Sequence, residues 1–195
     1  MTGPTLAHVA TESEPTALEW ESYLGEGPIK LPRKRVTADL VVRDVAGRIL
    51  LVDPHYKLGW DVPGGMVEVN EAPHAAAARE MREELGLDLV PGRLLVVDWM
   101  PPHEPWDDVL AFVFDGGTLT EAEAARIRVV DGEVTAYRFC ERVEARKRLL
   151  PLVAARIDAA LEALRTDTIS YLHRGQPVGE FSEPPGGRGA ADGCG

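Results

Sequence analysis

Glu80, Glu83 and Glu84 stand at i, i+3 and i+4, and on a helix those positions lie side by side on one face. Two unit charges about 6 Å apart at an effective dielectric of about 20 repel by roughly 3 kcal/mol, so three carboxylates there oppose their own helix unless something neutralises them. A divalent cation does so. Oxygen-only donors favour the hard ions Mg²⁺ or Mn²⁺, and Mg²⁺ takes a few carboxylates while leaving its other positions to water and phosphate oxygens. Water on such an ion is a nucleophile at neutral pH. The residue types alone therefore point to a metal site for a polyphosphate, against the plainer reading of a solvated helix face.

The spacing around the acids decides between the two. Gly65 is followed by five residues, Glu71, seven residues, Arg79-Glu80, the apolar Met81, one residue, Glu83-Glu84, one residue, Gly86 and the apolar Leu87. Seven fixed identities and two apolar slots recur by chance in a chain this long with a probability on the order of 10⁻⁷. This segment resembles the Nudix box at every defined position, and the resemblance extends over roughly residues 34–165 through the Trp60-Asp-Val-Pro-Gly64-Gly65 approach and the strand-rich flanks.

The resemblance implies an α/β/α sandwich on a mixed central β-sheet, and hydrolysis of a nucleoside diphosphate linked to another group by metal-activated water. It assigns Glu80 and Glu84 as ligands of Mg²⁺ (or Mn²⁺), Glu83 as a third ligand or the residue that positions water, and the Gly64 carbonyl as a further donor. Arg79 is expected to pair with Glu71 and fix the loop against the helix, with Gly65 and Gly86 shaping the two ends of the box. The general base is a box glutamate or one from a later loop, where Glu133, after Asp131-Gly132 at the start of a strand, is the candidate and Glu104 the alternative. Tyr56, Lys57, His103 and Trp106, in loops flanking the expected cleft, are the candidates for holding the substrate.

These residues need elements to position them. Residues 36–43 and 48–53 read as strands about a turn at Asp44-Val-Ala-Gly47. Pro73 near a first turn, four alanines at 75–78 and Gly86 as a left-handed cap delimit the box helix. Residues 94–99 and 109–114 read as strands, the second broken by Gly116-Gly117, and 133–139 as another; 121–127 is short and helical. Residues 142–164 read as a long amphipathic helix interrupted or kinked at Pro151, and 168–181 as a last short hairpin or arm. An amphipathic helix carrying Trp20 is expected over 15–25, within a single domain over 16–182 flanked by disordered tails at 1–15 and 183–195.

Composition narrows the partners. With 195 residues, 45% hydrophobic and 27% charged, the chain suits one globular domain with tails. A net charge of −11 opposes binding to nucleic acid polymers or anionic membranes, so the small nucleotide or nucleoside diphosphate derivative that the resemblance implies must be drawn in by metal and local bases; Arg33-Lys34-Arg35 reads as a solvated strand entry that could also steer an anion. Cys140 and Cys194 form no disulfide framework, which fits a reducing cytoplasm. His74, among alanines, reads as surface, and Trp99, closing an apolar strand, as core. Apolar surface beyond the minimal fold suggests a homodimer. Two other functions remain on the same scaffold: a nucleotide-binding sensor without turnover, disfavoured by the complete acid set, and a prenyl diphosphate isomerase, which would need Cys140 in the site.

Overall fold

Alternation along a single strand sets up the frame of the site. In β1 (Arg35–Asp44), Ala38, Leu40 and Val42 are fully buried on one face, while Arg35, Thr37 and Asp39 line a cleft on the other. The structure, a computed structural model, describes residues 32–130 and 132–179. The chain divides at Arg33 and Lys34, and the second unit is the one described below. The helix expected around Trp20 and both expected tails lie outside the described residues.

After β1 come β2 (Ile49–Pro54), β3 (Gly64–Met66), α1 (Pro73–Leu85), β4 (Leu94–Met100), β5 (Val109–Leu119), α2 (Glu121–Ala124), β6 (Val134–Cys140), α3 (Arg142–Arg148), α4 (Pro151–Thr166), β7 (Ser170–His173) and β8 (Gln176–Pro177). The strands make one sheet in the order β6-β2-β1-β5-β4-β7-β8, with β3 paired to β1 off that path. β1 runs parallel to β5 and β4 parallel to β7, and the remaining pairs are antiparallel. The sheet is therefore mixed, as expected.

Two cores sandwich it. On one face Ala76, Ala77, Met81 and Leu85 of α1 pack on Leu40, Val42, Leu50 and Val52; on the other, Ala154, Ile157, Ala160 and Ala163 of α4 pack on Val41, Leu51, Leu95 and Val113. Burying each of these leucines and isoleucines stabilises the fold by roughly 1.5–3 kcal/mol. Alanines dominate both helix faces, so the helices approach the sheet closely. Among the described residues no helix is long and apolar enough to cross a membrane.

One element differs from the sequence expectation, and two others decide between alternatives it left open. β5 does not stop at Gly116-Gly117 but runs through both to Leu119. A Cβ on Gly116 would stand 2.5 Å from Val42 Cγ2, so the glycine admits its neighbour, and Gly117 at φ +74° forms a bulge whose N–H donates to Asp115 Oδ1 at 2.8 Å. The register of β1 against β5 shifts at that point, between Val41 and Arg43. At Pro151 the interruption is complete: Leu149 and Leu150 are extended, because proline disfavours helical backbone in the residue before it. The last hairpin is no loose arm, since β7 extends the sheet beside β4 and its Leu172 is fully buried.

Candidate functional site

α1 begins with Pro73 in its first turn, where a missing N–H loses no helical bond, and ends at Gly86, whose φ of 66° lets its N–H reach the Arg82 carbonyl. Between those ends the helix buries its apolar stripe and leaves its acids at the rim. β3 supplies the facing wall: Gly64, Gly65 and Met66 pair with Asp39, Ala38 and Thr37 of β1. The Gly64 N–H donates to Glu84 Oε2 at 3.2 Å, and Glu84 is only 5% exposed. A Cβ on Gly65 would lie 2.5 Å from Glu80 Oε1, so the missing side chain is the space the Glu80 carboxylate occupies.

Arg79 gathers the remaining acids. Its Nε and Nη2 donate to the two oxygens of Glu71 at 2.9 Å each, in bidentate geometry. Nη1 donates to Glu80 Oε1 at 2.8 Å and Glu83 Oε2 at 2.9 Å, and Nη2 also meets the Met66 carbonyl at 3.0 Å. The hydrogen bond from Arg79, with help from the Glu68 N–H, holds the Glu71 carboxyl down at about 2. Glu80 moves the other way: burial raises its pKa, Arg79 opposes that, and the charges of Glu83 and Glu133 add to the rise.

Two clefts meet here. The first, about 530 Å³, is lined by Glu80, Arg79, Gly64 and Gly65 together with His55, Tyr56 and Glu133. The His55 N–H donates to the Glu133 carbonyl at 2.9 Å, which fixes the lead-in to β6 beside the end of β2. The second cleft, about 460 Å³, shares Tyr56, Gly64, Gly65 and Met66 with the first. Its outer wall is Trp106, with the Arg35 guanidinium 5.0 Å from the ring centroid, on a loop pinched by paired backbone bonds between His103 and Trp106 at 3.0 and 2.7 Å. Asp39, Asp61 and Arg156 also line this cleft. Lys57 pairs with Asp61 at 2.5 Å. Burial pushes the Asp39 carboxyl up to about 7, the Asp61 charge adds to the rise, and Arg156 and Lys57 oppose it.

The candidates from sequence thus fall into three groups. Glu80, Arg79, Gly64, Gly65 and Glu133 share the first cleft, with Glu71, Glu83 and Glu84 tied to them by hydrogen bonds. Tyr56, Lys57, His103 and Trp106 line the second. The others stand apart: Glu104 lines neither cleft, His74 is exposed, Cys140 is fully buried, and the half-buried Trp99 packs on His173 and donates to Asp108. Asp39, Asp61 and Arg156 were not anticipated, and Arg35 only as part of a basic run. The signal for Asp39 was a carboxylate inside an apolar strand, and for Arg156 a cation on an alanine-rich helix face.

The donor set suits a hard divalent cation, since Glu80, Glu84 and Glu133 offer carboxylate oxygens around Gly64 and the Gly64 carbonyl could add another oxygen. The charges of Glu83 and Glu133, which add to the burial that raises the Glu80 pKa, fit such an ion as well. Among the described residues no three acidic, histidine or cysteine side chains converge as a metal cluster in the present rotamers. Arg79 takes up Glu80 and Glu83, while Glu84 turns to the Gly64 N–H.

Comparison with known proteins bears on the family and the fold. The family model described as NUDIX domain matches residues 33–163. A CMP-5'-(N-acetyl-N-hydroxy-3-aminopropyl)phosphonate hydrolase of Streptomyces rubellomurinus is 43% identical over 53 residues, 25% of this chain and 26% of that protein. An 8-oxo-dGTP diphosphatase of Proteus vulgaris is 47% identical over 36 residues, 18% of this chain and 32% of that protein. The chain thus spans about a quarter to a third of the length of these curated relatives. The MutT protein from Methanosarcina mazei Go1 superposes with a TM-score of 0.56 at 23% identity, covering 71% of this chain and 99% of that one, and so shares the fold.

Proposed function

This chain belongs to the NUDIX domain family, and we propose that it is a pyrophosphohydrolase that cleaves a nucleoside diphosphate from the group linked to it, with Mg²⁺ or Mn²⁺ as cofactor. One observation carries the reading: Glu80, Glu133 and Arg79 share a cleft at the Gly64-Gly65 step, and that cleft opens into a second one walled by Trp106. The first suits a polyphosphate and the second a planar nucleoside. Both curated relatives are named for nucleotides.

Glu80, Glu84, Glu83 and the Gly64 carbonyl would hold the ion, which when bound supplies Lewis-acid stabilisation of phosphate charge and a water of lowered pKa. Arg79 keeps the glutamates on one side of the cleft, and through Glu71 it ties the loop to the helix. Glu133 takes the proton from the attacking water. Its place in the same cleft as Glu80, and its charge acting on Glu80, support it over Glu104. Lys57 stands in the second cleft already paired with Asp61, whereas Arg35, bound through Nη2 to the Asp107 carbonyl, keeps a buried Nε with no hydrogen-bond partner among the described residues.

The test is product analysis with Mg²⁺ and Mn²⁺ over nucleoside triphosphates, oxidised purine nucleotides, ADP-ribose, sugar nucleotides and dinucleoside polyphosphates. Glu84→Gln keeps an acceptor for the Gly64 N–H and removes the charge, so turnover is expected to fall at least about 100-fold with the fold intact. No turnover across the panel sinks the proposal, and nucleotide binding without turnover makes the chain a sensor.

A further inference from the structure

Asp39 is nearly buried in the second cleft, its side chain 14% exposed, yet it accepts no hydrogen bond from the described residues. Its nearest ion-pair partner, Arg156 Nη1, is 3.6 Å from Oδ2, beyond hydrogen-bond length. The other acids of the site are answered: Asp61 by Lys57 and the Val62 N–H, Glu71, Glu80 and Glu83 by Arg79, Glu84 by the Gly64 N–H. Glu68 and Asp107 are exposed to solvent. Asp39 thus keeps lone pairs open to the cleft, with only the long ion pair to Arg156 beside them.

The surroundings narrow what could donate to those lone pairs. Arg156 cannot move closer freely, since its Nε is held at 3.0 Å by Asp98, itself fully buried and accepting the Gly175 N–H at 3.1 Å. A ligand donor must come from the cleft. Trp106, 55% exposed and backed by Arg35, offers a ring face, and the thioethers of Met66 and Met100 line the same space. These favour a flat aromatic ring over a sugar. Lys57 and Arg156 are already engaged by Asp61 and Asp98, and Arg35 Nη2 by the Asp107 carbonyl, while Arg35 Nε has no hydrogen-bond partner among the described residues and is left to meet an acceptor on the same ligand.

We propose that Asp39 is a specificity-determining residue, accepting a hydrogen bond from the exocyclic amino group of a nucleobase that lies against Trp106, so that the second cleft selects adenine, guanine or cytosine over uracil. This rests on the second cleft being the nucleoside end of the site proposed above. A site built to bond a donor discriminates strongly against an analogue lacking it.

Calorimetric binding of AMP, GMP, CMP and UMP in metal-free buffer tests it, since none has an anhydride to cleave. The wild type is expected to bind at least one amino-bearing nucleotide about tenfold or more tightly than UMP. Asp39→Leu should bring that ratio to within about threefold, and Asp39→Asn, which keeps an acceptor oxygen, should restore part of it. Equal affinities in the wild type, or a ratio unchanged in a folded Asp39→Leu and in Asp39→Asn, overturn the proposal. So does a preference that follows the 2′-hydroxyl, read from the 2′-deoxy counterparts, which would assign Asp39 to the sugar. Parallel hydrolysis of the triphosphates separates the two readings. Turnover without base preference in binding leaves the enzyme and removes this inference, whereas base selection lost in Asp39→Leu without any turnover leaves this inference and removes the enzyme.

Discussion

Gly64 and Gly65 are neighbours, and the hydrogen in place of a side chain answers a different need at each. At Gly64, with φ +145°, a Cβ would stand 2.4 Å from the Ala38 carbonyl oxygen and 2.6 Å from Asp39 Cα, both backbone atoms of β1 that cannot give way. Gly64→Ala is therefore expected to lower stability by roughly 3 kcal/mol in urea unfolding. At Gly65 the clash is with the Glu80 carboxylate, the far end of a flexible side chain. Gly65→Ala should leave stability within about 1 kcal/mol of the wild type but cut kcat about 100-fold, because displacing a reacting group by about 1 Å has that effect. Equal losses of stability in the two variants would contradict this division. Spacing in the sequence made the two glycines and the acids legible as a set. It could not reveal Asp39, whose importance comes from the strand that β3 happens to pair with.

At the scale of elements, the approach to α1 is held by the Glu71–Arg79 pair. The folded Glu71 carboxyl titrates at about 2 rather than its usual 4.5. A depressed folded pKa means that the pair's stabilisation is fully present above pH 4.5 and is lost as pH falls toward 2. Glu71→Gln should therefore unfold at a lower urea midpoint than the wild type at pH 7, and the difference should shrink steadily between about pH 4.5 and 2. A difference constant through that window would show that the pair does not clamp the helix. Elements with local signals were legible: Pro73 and Gly86 bound α1, and Asp44 to Gly47 the first turn. The glycines of β5 misled because a glycine pair serves a bulge inside a strand as well as a break after one, and only the approach of Val42 decides which.

Across the whole molecule, a buried chain of polar groups links the last hairpin to the cleft: the Gly175 N–H to Asp98, Asp98 to Arg156, Arg156 to Asp39. Arg156→Met leaves Asp98 charged and fully buried with only part of its partners, and is expected to cost about 3–5 kcal/mol in urea unfolding. Adding Asp98→Asn should recover much of that loss, a coupling that independent surface effects would not produce. None of this network was legible in sequence, since its members lie on four elements whose adjacency follows from strand order. The lesson at this scale is that the box announced the chemistry while the remainder of the cleft waited on the fold.

β1 carries two independent messages in alternate residues. Ala38, Leu40 and Val42 answer to the packing beneath α1, whereas Arg35, Thr37 and Asp39 line the second cleft. On the proposal above, substitution in the second set is expected to change what the cleft accepts without disturbing the helix that bears the acids. Deletion of a single residue would exchange the two sets and ruin both. A scaffold of this kind lets substrate preference drift in evolution while the reaction stays fixed, and positions 35, 37 and 39 are where that history would be written.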